Sequence, residues 1–238
     1  MKYYLDITLL PDAEANLGFL WHKVYHQIHI GLVDNGFLSD ELVKARNGKQ
    51  EPLKKSHIAL SFPNYKIKDE FPLGNILRLF AETKEQLEAL NVKELLNRFT
   101  DYTHCKLIQQ VDETKVKKHV CFKRKQFKSP SRITKDLERR VKYLVENKPE
   151  KYGDNILQVK TKLQELAKKY DDRLTLPFIN LMSFSSKPDA SLPDKDRFLL
   201  FIEMQGMDTE IKGDFTCYGL SRRNIKDRLE IQATVPWF

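Results

Sequence analysis

Three histidines, His22, His26 and His29, fall at spacings of 4 and 3 in one apolar-periodic segment, so on a helix they share a face. An imidazole titrates at ~6.5 in its ordinary state, so it can take or give a proton near neutrality. One use of that chemistry is to move the proton of a ribose 2′-hydroxyl. The His22/His26 pair also has the i, i+4 spacing of a metal-ligand pair. It lacks the glutamate of an H-E-x-x-H pattern and a further ligand cluster, which disfavours zinc. Solvated surface histidines are the plain alternative. Ser183 and Ser185, in Met-Ser-Phe-Ser-Ser, are hydroxyl candidates, as nucleophile or as positioners. No G-x-S-x-G elbow accompanies them, so a serine hydrolase is poorly supported. The stretch Gly213-Asp-Phe-Thr-Cys-Tyr-Gly-Leu-Ser221 is an aromatic turn between glycines. It places Tyr218 either to orient a histidine or to pack, and it holds no phosphate-loop Gly-Lys-Ser, which argues against an NTPase.

Charge points to a partner. The net charge is +8, from 41 Lys and Arg against 33 Asp and Glu. Nine of the basic residues lie between Lys115 and Lys135 with no acid among them, leaving 32 against 33 elsewhere. A near-neutral body with one dense basic segment reads as a dock for a polyanion, with a solvated basic face as the bland alternative. Arg124 and Gln126 sit two apart on a predicted strand and so point the same way. The arginine fork fits guanine and the glutamine amide fits adenine, so the pair could read two neighbouring purines. Phe198, next to Arg197, offers a ring for base stacking or for the core edge.

These residues need elements to hold them. Tyr3 to Leu10 alternates as a strand, and a helix is expected from about Ala13 to Val33 with a stripe of Leu17, Trp21, Val24, Ile28 and Leu32. Residues 37–55 are polar and lysine-rich and suggest an inserted loop or short helix. Strands are expected at Ser56 to Phe62, Asn75 to Ala81 and Tyr102 to Val111, with a helix from Thr83 to Phe99 capped by Thr83. The order βαββαβ over residues 1–111 is the ferredoxin-like (RRM-type) pattern, which by itself says nothing of RNA. Residues 112–238 then read as a second α+β domain. It opens with a basic strand, Val116 to Phe127, and a helix capped by Ser129 with Pro130 at its first position. That helix buries Ile133, Leu137, Val141 and Leu144 and carries Arg132, Lys135, Arg139 and Lys142 as a second stripe. A charged helix over 150–172, short strands at Phe178 to Phe184, Phe198 to Met204 and Phe215 to Tyr218, and the tail Val-Pro-Trp-Phe238 complete the chain.

Composition excludes several classes. With 41% hydrophobic and 11% aromatic residues, the 238-residue chain can bury a core, so wholesale disorder is ruled out. No apolar run approaches the ~20 residues of a membrane helix, and the first residues do not form a secretory signal. Cys105, Cys121 and Cys217 show no C-x-x-C spacing, which fits a reducing, cytoplasmic setting rather than a disulfide scaffold.

Several segments occur together in one order. They are Tyr4-Leu-Asp-Ile7, Tyr25-His26-Gln27, Arg124-x-Gln126-x-Lys128-Ser129, Leu176-Pro-Phe178, Phe198-x-x-Phe-Ile202, Phe215-Thr-Cys-Tyr-Gly-Leu-Ser221 and the final Val-Pro-Trp-Phe238. Together they resemble the CRISPR precursor-RNA processing endoribonuclease of type I-F systems. The resemblance implies a metal-independent and cofactor-free ribonuclease that cuts a CRISPR repeat RNA hairpin at its base. It leaves a 2′,3′-cyclic phosphate and passes with its product into the CRISPR surveillance complex, a partner set without a membrane. It implies His26 as the catalytic histidine, from its Tyr-His-Gln context, with His29 and His22 close by. It implies Ser183 and Ser185 as the serines at the cut site and Tyr218 as the tyrosine that orients the histidine. Arg124 and Gln126 match its base readers, Phe198 its stacking ring, and Lys128, Arg132, Lys135, Arg139 and Arg140 its grip on the stem. Asp136 and Glu138 depart from the family's arginine-rich face, and residues 37–55, much of 146–172 and 222–232 look like insertions.

Overall fold

The computed structural model describes residues 1–44, 48–67, 71–127, 130–152, 156–169, 175–182, 197–226 and 229–238. These form a mixed α/β protein built on antiparallel strand pairs. Two compact units are present. The first comprises Met1–Arg124 with Pro177–Phe238, and the second comprises Lys125–Leu176. The division expected after residue 111 falls inside the first unit.

Alternating apolar residues make β1 (Tyr3–Leu9), whose Ile7 and Leu9 are fully buried. Helix α1 (Leu17–Asp34) starts at Asn16, whose side chain accepts from the Phe19 amide, four residues later than expected. The residues ahead of it turn around Asp12, whose carboxylate accepts from the amides of Glu14 and Ala15. The expected stripe buries Trp21, Val24, Ile28 and Leu32, together with Leu20 and Tyr25.

The segment 37–55, expected as a loop or short helix, is instead an antiparallel hairpin of β2 (Phe37–Lys44) and β3 (Gln50–Ser56). Its outer strand leaves Leu38 and Leu42 exposed. Lys55 bonds Asp214 at 2.6 Å, and Arg222 grips Glu41 with its two terminal guanidinium nitrogens, so these strands are tied to the C-terminal region by ion pairs.

After it come β4 (Ala59–Ser61) and β5 (Ile76–Ala81). The single helix expected from Thr83 to Phe99 is broken. α2 (Lys84–Leu90) has the capping box of Thr83 and Gln86, but Asn91 adopts a left-handed φ of 46° and α3 (Val92–Leu95) starts afresh. The fourth strand is likewise two short pieces, β6 (Thr103–Cys105) and β7 (Gln109–Gln110), both paired with β1. The sheet order is β4-β5-β1-β6, with β7 beside β1.

The basic strand β8 (Lys118–Lys125) leads to the second unit. There α4 (Pro130–Asn147) is followed by α5 (Pro149–Tyr152) and α6 (Ile156–Lys169), and α4 packs on both. Ile133, Leu137, Val141 and Leu144 are half-buried, and Lys135, Arg139 and Lys142 are exposed, as the two-stripe pattern predicts. Ser129, the expected cap, lies outside the described residues.

The chain returns to the first unit with β9 (Phe178–Met182), β10 (Arg197–Met207) and β11 (Phe215–Thr216). Within 222–232, β12 (Arg223–Lys226) and β13 (Leu229–Gln232) pair antiparallel, and β14 (Val235–Trp237) is the last strand. The orders are β14-β8-β10-β9 and β11-β3-β2.

Rings fill the core of the first unit. Trp21, Phe62, Phe122 and Trp237 follow one another at centroid distances of 5.5, 5.1 and 6.1 Å. Buried Arg78 bonds Asp6 at 2.7 and 3.0 Å, and its guanidinium lies over Phe238 and Tyr4, so the final residue is held against the first sheet. Removing one member of such a buried pair costs about 3–5 kcal/mol, because the other charge is left unpaired.

Candidate active site

The aromatic turn is fixed by its own backbone. Gly219 donates to the Thr216 carbonyl at 2.7 Å, and Thr216 donates to the Leu220 carbonyl at 2.9 Å. Gly219 has φ +68°, and a Cβ there would meet Leu60 Cγ at 2.2 Å, so both conformation and space require glycine. The turn is also tied outward. The Leu60 amide donates to Gly219, the Ser221 amide donates to Phe122, and Phe215 and Thr216 pair with β3.

This turn presents Cys217 and Tyr218 to α1. The Tyr218 ring stacks on the His29 imidazole with centroids 4.3 Å apart and planes 7° from parallel. His29 Nδ1 lies 2.8 Å from the Cys217 carbonyl. A carbonyl oxygen only accepts, so Nδ1 carries the proton and Nε2 of the neutral ring keeps its lone pair. Burial holds His29 below the ordinary histidine value, and the bond to Cys217 acts in the opposite direction. One turn back on α1, the buried Tyr25 hydroxyl donates to the Tyr218 carbonyl at 2.7 Å. Burial, then the nearby Tyr218, pushes the Tyr25 phenol well above its usual range, with Arg124 opposing, so it stays a neutral donor.

Arg124 closes the cluster. Its guanidinium lies 5.0 Å over the Phe198 ring and 5.5 Å over Tyr218, and the two rings meet edge to face at 6.2 Å. Arg124, Phe198, Tyr218 and His29 thus form one continuous stack, with the arginine exposed at its outer end. Guanidinium over a ring is a stable arrangement that leaves the fork edge open to hydrogen-bond a partner.

His26 lies beside His22, with ring centroids 6.2 Å apart. Burial lowers its pKa first, followed by repulsion from His22, His29 and Lys23. His22 Nδ1 donates to the Asn180 carbonyl on β9. Among the described residues, no group of three or more His, Cys, Asp or Glu is placed to hold a metal ion.

The structure therefore brings together Arg124, Phe198 and Tyr218 of the expected residues and adds His29 to them. Ser183, Ser185 and Lys128 lie outside the described residues. Gln126 is exposed in the second unit, as are Lys135, Arg139 and Arg140 on α4, while of Arg132 the backbone alone is described. Not every basic residue in the 115–135 run is open to a ligand. Lys123 bonds Gln205 at 2.8 Å and pairs with Glu203 at 3.3 Å within the first unit. Sequence reasoning missed the Cys217 carbonyl and the Tyr25 hydroxyl. A main-chain acceptor has no residue-type signature, and Tyr25 was legible only as a neighbour of the helix stripe.

Comparison with known proteins fits this arrangement. A protein of Escherichia coli (strain UTI89 / UPEC), the CRISPR-associated endonuclease Cas6/Csy4, is 29% identical over 242 residues, covering 100% of each chain. The family model for CRISPR-associated protein (Cas_Csy4) matches residues 4–238, a span that takes in the histidine face of α1, the basic strand and helix, and the aromatic turn. From its first strand to its last residue, then, the chain is built to that pattern, and it belongs to the Cas_Csy4 family.

Proposed function

We propose that this protein is an endoribonuclease of CRISPR RNA processing that cuts repeat hairpins at the base of the stem without a metal ion. Family membership supports the activity. The observation that carries the mechanism is the imidazole of His29, held between the Cys217 carbonyl and the Tyr218 ring.

In this reading Nε2 takes the proton of the substrate 2′-hydroxyl. The freed oxygen forms a bond to the adjacent phosphorus, the bond from phosphorus to the 5′-oxygen breaks, and that oxygen is protonated as it leaves. The products are a 2′,3′-cyclic phosphate and a 5′-hydroxyl. A ribose hydroxyl is a poor nucleophile, so a positioned base contributes about 10²–10⁴-fold. Basic side chains near the phosphate stabilise the charge that develops on it. The sequence resemblance gives the catalytic role to His26. The contacts of Tyr218, the residue matched to the family's histidine-orienting tyrosine, favour His29, and we assign the base there. Ser183 and Ser185 keep the substrate-holding role that the resemblance gives them.

Recognition falls to other residues. Arg124 and Gln126 read base edges, Phe198 stacks, and Lys128, Arg132, Lys135, Arg139 and Arg140 follow the phosphates of the stem. Retention of the cut stem-loop would carry enzyme and guide RNA together to the surveillance-complex subunits in the cytoplasm. The order β4-β5-β1-β6 supports a ferredoxin-like reading of residues 1–111, with the base on its first helix.

The test is hairpin RNA with excess protein in EDTA. Cleavage to a cyclic-phosphate end is expected, with a 2′-deoxy nucleotide at the cut blocking cleavage but not binding. Intact ribose RNA under saturated binding would leave a non-catalytic hairpin-binding subunit as the correct description.

A further inference from the structure

Helix α1 continues past the histidine face in a direction that the hairpin reading does not use. Toward its N-terminus α1 carries His26, Lys23, His22 and then Phe19, a turn or less apart, the first three half-buried and Phe19 exposed. Phe19 is 48% exposed. The Lys23 ammonium lies 5.5 Å over that ring. Asp34, the last residue of α1, is its only acid, so the helix itself contributes no negative charge from Leu17 to Val33. Asp12 and Glu14 lie just beyond the N-terminal end and limit the favourable stretch. From His29 to Phe19 the helix rises about 15 Å, enough for a few nucleotides of single strand.

An exposed ring beside a cation, on a helix that contributes no acid there and runs on from the histidine face, suits the holding of unpaired nucleic acid without reading its sequence. We propose that the Phe19–Lys23 end of α1 is the binding track for the single-stranded RNA beyond the cut. Phe19 stacks on one base and Lys23 pairs with the backbone. The proposal rests on the cleavage reading, because the strand enters this track from the scissile linkage. It assigns the track to the leaving side, since the upstream side of the cut is the paired stem.

Two RNAs test it, each with a 2′-deoxy nucleotide at the cut to prevent cleavage. One hairpin ends one nucleotide past the cut, and the other extends by several unpaired nucleotides. The extension should tighten binding by wild-type protein by roughly tenfold at low salt. Phe19→Ala should lose most of that gain and bind the short hairpin as wild type does. Phe19 is half exposed, so the variant should stay folded. Lys23→Gln should lose part of the gain and flatten its salt dependence. The proposal is overturned if the extension adds nothing, or if Phe19→Ala weakens both RNAs alike. Failure of the cleavage reading looks different. In that case the all-ribose short hairpin stays whole in excess enzyme, whatever the flank contributes.

Discussion

The Tyr218 ring lies face to face with the His29 imidazole, and the residue before it, Cys217, accepts a hydrogen bond from Nδ1 through its carbonyl. Two successive residues of one turn thus set both the plane and the tautomer of a single histidine. His29→Ala should lower single-turnover cleavage by about 10²–10⁴-fold with hairpin affinity retained. His26→Ala should lower it far less. The opposite ranking returns the base to His26. Tyr218→Phe keeps the stacking face and should stay near wild type, whereas Tyr218→Ala should lose much of the rate.

The pH profile has a definite sign. Burial disfavours the imidazolium, so His29 gives up its proton at a lower pH than an exposed histidine would. The base form therefore persists below neutrality. The acid limb of the single-turnover rate should have its midpoint below ~6.5. A midpoint at or above that value would contradict a desolvated base. His26 is shifted in the same direction, so the limb must be measured in His26→Ala as well.

Gly219→Ala should damage the site through the backbone. An L-residue in the left-handed region costs about 1–2 kcal/mol. The clash with Leu60 adds about 1–3 kcal/mol of overpacking. Urea unfolding should show a loss of about 2–5 kcal/mol. In the fraction that stays folded, cleavage should fall more than hairpin affinity, because the turn holds His29 rather than the stem.

Two arginines should behave differently. Arg124 stands at the outer end of the stack, and Arg124→Ala should relax preference at one base by about 1–3 kcal/mol. Arg139 lies on α4, where its exposed ion pair with Asp136 is a weak competitor for phosphate. Arg139→Ala should weaken binding to all stems and reduce the salt slope by about one. Equal weakening of every hairpin by Arg124→Ala would remove its base-reading role.

Periodic elements were legible in the sequence. The strand from Tyr3, the Trp21–Leu32 stripe, the Thr83 cap and the two stripes of α4 all follow from spacing, because each has one face against a core. The hairpin over 37–56 was not. Leu38 and Leu42 are exposed on it, so no alternation of apolar and polar residues marks its strands. The break at Asn91 was hidden because Leu87, Leu90, Leu95 and Leu96 keep a helical rhythm across it. The partner of His29 was not legible either. Residues 26 and 29 lie within one turn of the same helix, and only the arrival of a segment nearly 190 residues away distinguishes them. Local context cannot carry that information.

The aromatic turn is bonded at Leu60 to one sheet, at Phe122 to a second and along Phe215–Thr216 to a third. A part so anchored cannot melt alone. Heat should therefore extinguish catalysis and near-ultraviolet circular dichroism in the same narrow interval, with no warm, folded but idle species between them.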